Sequence, residues 1–145
     1  MAAIMGKINV ITRCAAAYRG ERTDSQLPAI YHSYVFAICR NPGMTQDALS
    51  KYLCMGKSNV TRHLASLEAD GFVERRVGQR DRREMQVYPT EKMLALYPQA
   101  LQASKEWTRM LQEDISPEDM ETFYRVLSQM ADRARKIVFE EATGE

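Results

Sequence analysis

The chain has 145 residues, 45% hydrophobic and 27% charged: one modest domain with enough apolar content to bury a core, which excludes disorder. Its 20 Lys+Arg against 19 Asp+Glu leave a formal charge of +1, a total that taken alone argues against nucleic acid. The longest apolar run, Tyr34 to Cys39, is far shorter than the ~18 residues of a membrane span, so no membrane partner is expected.

Ile4, Ile8, Ile11, Ala15 and Tyr18 recur at four and three and predict a first helix that Gly20 closes. A second helix is predicted from Leu27-Pro28, carrying Ile30, Tyr34, Ala37 and Ile38 and stopping at Asn41-Pro42-Gly43. Thr45 then caps a short helix with Ala48, Leu49, Tyr52 and Leu53 inward. A further helix runs from about Lys57 to Asp70 on a stripe of Val60, Leu64 and Leu67, with Gly71 as its terminator and Phe72 folding back. Lys57, Ser58, Thr61 and Arg62 are left outward, the arrangement of a helix-turn-helix.

Phe72–Val77 and Met85–Tyr88 read as two strands around the charged tip Gly78-Gln79-Arg80-Asp81-Arg82-Arg83-Glu84, a β wing. Thr90 caps a helix from Glu91 to about Asp114, in which Pro98 predicts a kink or break near Tyr97. Ser116-Pro117-Glu118-Asp119 starts the last helix, whose Met120, Phe123, Leu127, Met130, Ala134 and Ile137 sustain one apolar face.

Segment by segment, the charge is uneven. Between Lys57 and Arg83 seven cations face four acids, leaving +3, whereas from Glu113 to Glu145 nine acids face four bases, leaving −5. A basic centre is what phosphate binding needs, although a basic stretch is as often a solvated face.

Met44-Thr45-x-x-x-Leu49, Val60-Thr61-Arg62-x-Leu64-x-x-Leu67-Glu68-x-x-Gly71-Phe72-Val73-x-Arg75, Asp81-Arg82-Arg83 and Val87-x-x-Thr90 together resemble the MarR family of winged-helix transcriptional regulators. The match covers about residues 44 to 92. One departure is Met93, where members usually carry glycine, which is expected to perturb the start of the fifth helix.

The resemblance implies a mainly α fold with a small β wing: a single domain over 1–145, with dimerisation helices at about 1–20 and 116–142. A winged helix-turn-helix lobe at about 44–90 and a linking helix at about 91–114 complete it. It implies a homodimer, held through Ile4, Ile8, Ile11, Phe123, Leu127, Met130 and Ile137, on double-stranded DNA of pseudo-palindromic sequence. Ser58, Asn59, Thr61 and Arg62 are the major-groove candidates, Arg62 suiting guanine and Asn59 adenine, and Lys57 beside them is a further DNA-binding candidate. Ser58 and Asn59 have capping or phosphate contact as the alternative, and His63 either joins the set or lies along the flank. In the wing, Arg83 matches the family's minor-groove arginine, Asp81 orients an arginine, and Arg80 and Arg82 serve phosphates, as do Thr45 and Gln46 at a helix start.

The family commonly releases DNA on binding a small aromatic ligand, for which Tyr31, His32, Tyr34, Tyr97 and Trp107 are the candidates, though aromatics at helical spacing are more often core. An oxidant-sensing branch points to Cys14, with Tyr31 or Tyr34 as hydrogen-bond donor to a thiolate; a buried inert thiol is the alternative. His32 and Cys39 with Cys14 make a weak metal set. Lys7 and Arg13 argue against a secretion signal, and three cysteines without C-x-x-C spacing argue against disulfides or a zinc ribbon. A cytoplasmic repressor without cofactor is therefore expected. A winged-helix adaptor without DNA affinity is the second class, and the chain carries no phosphate loop or nucleophile-base motif of an enzyme.

Overall fold

The computed structural model describes residues 2–22 and 27–140. Six α-helices, a 3-10 turn, three short strands and a final π turn follow one another in the described chain. Two compact units divide it, Met1–Trp107 and Thr108–Glu145.

In the first unit, α1 (Ala2–Arg22) continues past Gly20, which therefore does not close it. The Arg22 guanidinium lies 3.6 Å over the Tyr18 ring one turn earlier, a contact that favours continuing the helix. Pro28 is the cap of a 3-10 turn (Ala29–Tyr31), so the second helix opens one turn later than predicted, as α2 (His32–Arg40). Ile30 is consequently exposed, while Tyr34, Val35, Ala37 and Ile38 form the buried face.

The strand β1 (Met44–Thr45) was invisible to periodicity because it has only two residues. Thr45 Oγ1 accepts from the Ala48 amide and caps α3 (Gln46–Leu53). Leu49 is buried as expected, but Ala48 and Tyr52 are exposed, and Ser50 takes the inner position. Ser50 is tolerated there because its hydroxyl donates to the Met55 carbonyl in the turn between helices. That turn passes through Cys54 in left-handed backbone (φ 54°) and leads into α4 (Lys57–Ala69).

The end of α4 fixes the direction of everything after it. Gly71 has φ 79°, its amide donates to Glu68 O (3.0 Å) and the Phe72 amide to Leu67 O (2.8 Å). These two bonds make the Schellman closure, which needs a residue without Cβ strain at that position. The chain then returns along α4 as β2 (Val73–Val77), paired antiparallel with β3 (Met85–Pro89), and β1 adds to β3 on its other side.

Thr90 caps α5 (Glu91–Leu111), accepting from the Met93 amide at 3.4 Å. The expectation for Met93 fails here, and so does a break at Pro98, one of the two outcomes expected there. Met93 does not disturb the helix start: it is 0% exposed and packs into the core with Leu64, Leu67 and Val87. Nor does Pro98 break the helix, which runs 21 residues without interruption. Burial of Met93, Ala100 and Ala103 on either side of the proline holds the helix together while one backbone bond is missing.

In the second unit, Ser116 caps α6 (Pro117–Arg135), its hydroxyl accepting from the Asp119 amide, with Pro117 in the first turn. A π turn, Lys136–Glu140, follows. Residue 1 and residues 141–142, the ends of the two predicted dimerisation helices, lie outside the described residues. None of the residues of α6 is buried, and Phe123, Leu127 and Met130 are 52%, 37% and 43% exposed. On α1, Ile4 and Ile11 are likewise exposed, whereas Ile8 is half-buried and Ala15 buried.

Candidate nucleic-acid interface

The first two turns of α4 sort by face. Val60 and Leu64 are sealed into the core, which leaves Lys57, Ser58, Asn59, Thr61 and Arg62 exposed. Arg62 does not wave freely, because its guanidinium donates to Asn59 Oδ1 at 2.8 Å and the two candidate base readers stand together. The Lys57 ammonium reaches Asp47 of α3 at 3.4 Å. Both groups are about 70% exposed, so this pair is weak and a phosphate can compete for the lysine.

His63 takes the flank of α4. Its Nδ1 is 2.8 Å from the Tyr34 hydroxyl, and its ring meets Tyr31 and Tyr34 edge-on at centroid distances of 5.4 and 5.6 Å. Of its two expected places, these contacts match the flank, where His63 links α4 to α2.

The wing tip is closed by its own backbone. The Gly78 amide donates to Glu84 O at 2.8 Å, and a Cβ on Gly78 would stand 2.7 Å from the Asp81 carbonyl, so only glycine fits. Within that loop, Asp81 accepts from the Arg83 amide (3.0 Å), from Nε (3.1 Å) and from a terminal guanidinium nitrogen (3.1 Å). The Arg83 side chain is 90% exposed all the same: one edge of its guanidinium is held by Asp81 and the other faces solvent. Its side-chain hydrogen bonds, and then its backbone amide, hold the Asp81 carboxyl below the ordinary carboxylate value. Arg80 and Arg82 are exposed beside it. A groove of about 130 Å³ lined by Thr45, Gln46, Asp47, Arg83, Glu84 and Met85 joins the wing base to the start of α3. Thr45 uses its oxygen as cap, and a hydroxyl in that position still has its proton to donate.

Sequence reasoning missed the pair Glu68–Arg75. Glu68 accepts from the Arg75 amide (2.9 Å) and from two guanidinium nitrogens (3.2 and 3.0 Å), and these bonds hold its carboxyl below the usual range. The signal was available: a Gly71 closure folds the strand back along the helix, so residues seven apart meet.

Four of the five effector candidates lie in three places. Tyr31 and Tyr34 pack with His63, the Tyr97 hydroxyl accepts from Arg40 Nε (3.1 Å) beside Phe36, and Trp107 lies 5.3 Å from the Tyr18 ring. Burial pushes Tyr34 up to about 12, with Tyr31 adding to it. His32 is 2% exposed and Nδ1 has no hydrogen-bond partner among the described residues; desolvation, then the Arg19 charge, lowers its pKa. Cys14 is exposed, not a buried thiol, since it sits beside the inward Ala15 and not on its face. Nor does Tyr34 bond it, because that hydroxyl is occupied by His63 and by the Met55 sulfur. Cys39 is pushed up to about 11 by burial, and no metal-holding group of three His, Cys, Asp or Glu exists among the described residues. Among them, too, no helix is long and apolar enough to cross a membrane.

Two short helices across a tight turn, then a hairpin whose first strand folds back along the second of them, define a winged helix-turn-helix protein. Comparison with known proteins narrows this further. The MarR family model matches residues 25–84. The HTH-type transcriptional regulator PetP of Rhodobacter capsulatus is 33% identical over 127 residues, 83% of this chain and 76% of its own. A MarR transcriptional regulator from Methanosarcina mazei Go1 superposes with a TM-score of 0.83 at 24% identity, covering 95% of this chain and 100% of that one. A putative MarR family regulator from Listeria monocytogenes, complexed with 26mer DNA, superposes with a TM-score of 0.86 at 19% identity, covering 97% and 95%. The chain belongs to the MarR family and is a transcriptional regulator, not an enzyme.

Proposed function

We propose that the chain binds a pseudo-palindromic operator in double-stranded DNA as a homodimer and acts as a cytoplasmic repressor. Each lobe lays the start of α4 in a major groove, where Arg62 and Asn59 read base edges and Ser58 and Thr61 make shorter contacts. The wing delivers Arg83 to the adjacent minor groove, while the Lys57, Arg80 and Arg82 side chains hold phosphates, helped at the start of α3 by the Thr45 hydroxyl and the Gln46 main-chain amide. Asp81 orients Arg83. One observation carries the reading: two exposed guanidinium groups, on α4 and on the wing, are each oriented by a neighbouring side-chain oxygen, Arg62 by Asn59 and Arg83 by Asp81. An adaptor without DNA affinity has no use for that pairing.

The apolar faces on α1 and α6, exposed in one chain, support a two-fold assembly whose α4 helices enter successive major grooves about 34 Å apart. Release by a small aromatic ligand rests on the family resemblance; Tyr31 and Tyr34, edge-on to His63 of the reading helix, are the candidates best placed to transmit it. Exposure of Cys14 favours a second reading of the control step, oxidation at that thiol.

The test of the DNA reading is selection of bound genomic fragments followed by titration of Arg62→Ala/Arg83→Ala on the strongest fragment. Loss of affinity by about a hundredfold or more is expected for the pair in a dimer. Unchanged binding refutes the site.

A further inference from the structure

Arg75 belongs to the basic centre by sequence, yet its side chain is only 20% exposed, against 90% for Arg83 and 54% for Arg76. All three of its guanidinium nitrogens donate to protein: Nε and one terminal nitrogen to Glu68 Oε1, the other terminal nitrogen to Gln46 Oε1 at 3.3 Å. Gln46 passes the chain of bonds on, its amide nitrogen lying 3.4 Å from Thr61 Oγ1. The Thr61 hydroxyl in turn donates to the Lys57 carbonyl at 2.9 Å.

This run of bonds touches the reading helix twice, at Thr61 in its second turn and at Glu68 in its last. Its other anchors are β2, through Arg75, and the first residue of α3, through Gln46. Three elements meeting on one planar guanidinium fix the angle between α4 and the wing, because a fork-to-carboxylate pair is directional where a lone ammonium is not. Base readout needs that angle held to within about 0.5 Å at the side chains, whereas phosphate attraction does not.

On the DNA-binding reading given above, we propose that Arg75, Glu68 and Gln46 are positioning residues for operator specificity. They set the reading helix against the wing and leave phosphate contact to Lys57, Arg80 and Arg82.

The experiment measures equilibrium binding to a selected genomic fragment and to a scrambled one, across a salt series, for wild type, Arg75→Lys, Arg75→Met, Gln46→Met and, for comparison, Arg80→Ala. Arg75→Lys keeps the charge and loses the fork. The proposal expects it to lower the ratio of specific to non-specific affinity about tenfold, with the salt slope unchanged. Arg75→Met and Gln46→Met lower the ratio in the same way, and Arg80→Ala flattens the slope by about 0.9 per lobe on both fragments. If Arg75→Met does not fold, as far-UV circular dichroism will show, Arg75→Lys and Gln46→Met carry the comparison. A wild-type ratio in Arg75→Lys, or a slope in Arg75→Met flattened as in Arg80→Ala, makes Arg75 a phosphate contact and overturns the proposal alone. Wild type that binds neither fragment overturns the DNA-binding reading and the proposal with it.

Discussion

Replacing Phe123 and Leu127 by alanine probes the proposed two-fold assembly. The two side chains are 52% and 37% exposed, so together they hold nearly one full side chain's surface available for burial. In a symmetric interface each is used twice. At about 1.5–3 kcal/mol for a fully buried large apolar side chain, that amounts to roughly 3–5 kcal/mol at most, since alanine retains its Cβ. Each ~1.4 kcal/mol is tenfold, so the dimer dissociation constant should rise about a hundred- to a few-thousand-fold. Sedimentation equilibrium over a wide concentration range reads this directly, as a shift from twice the 16.6 kDa chain mass towards the chain mass. Arg125→Ala, an exposed position on the opposite face of α6, is the control and should leave the equilibrium unchanged. A double variant that dimerises like wild type, or a wild type that is monomeric at micromolar concentration, refutes the assignment of α6 to the interface.

Two further outcomes follow from the described geometry. Glu68, Glu74 and Asp81 have folded pKa values below their ordinary 4.5, 4.5 and 3.8, held there first by hydrogen bonds from Arg75, Arg76 and Arg83. The unfolded chain therefore binds more protons on acidification, so the stability these groups contribute is present above the ordinary values and is lost as pH falls below them. Urea midpoints should drop below about pH 4.5, and Glu68→Gln should make the drop shallower; a midpoint rising with acid contradicts the sign. In the core, Leu64 is 0% exposed, and Leu64→Ala should cost about 2–5 kcal/mol in urea unfolding, with a loss under 1 kcal/mol contradicting the packing.

Much of the lobe was legible because local chemistry and burial agree there. Thr45, Gly71, Thr90 and Ser116 each do in space what their residue type does at a helix end, and Val60, Leu64 and Leu67 keep one face because the core leaves no other. The errors arose where a contact distant in sequence decides. Pro98 breaks helices in isolation, yet here flanking buried residues hold the turn. Met93 looks oversized beside a family glycine until its side chain is seen filling the space under Leu64 and Val87. Ser50 outranks Tyr52 for the interior because the Met55 carbonyl waits there for a donor.

In the site, Asp81–Arg83 could be read from a two-residue spacing, which brings carboxylate and guanidinium to the same side of a tight loop. Arg75 could not be told from Arg80 or Arg82 by counting charge, since the difference is a partner seven residues back and a glutamine on another helix. His63 was ambiguous for the same reason: its place depends on Tyr34, which is 29 residues earlier.

The most direct test of the central claim is the salt dependence of wild-type affinity for fragments selected from genomic DNA. On the proposed reading Lys57, Arg80 and Arg82 are three phosphate contacts per lobe, so the proposed dimer should show a slope of log affinity against log salt near −5. Tight, sequence-selective binding with such a slope is the expected result. An affinity that is indifferent to salt, or equal for selected and scrambled fragments, would contradict the account.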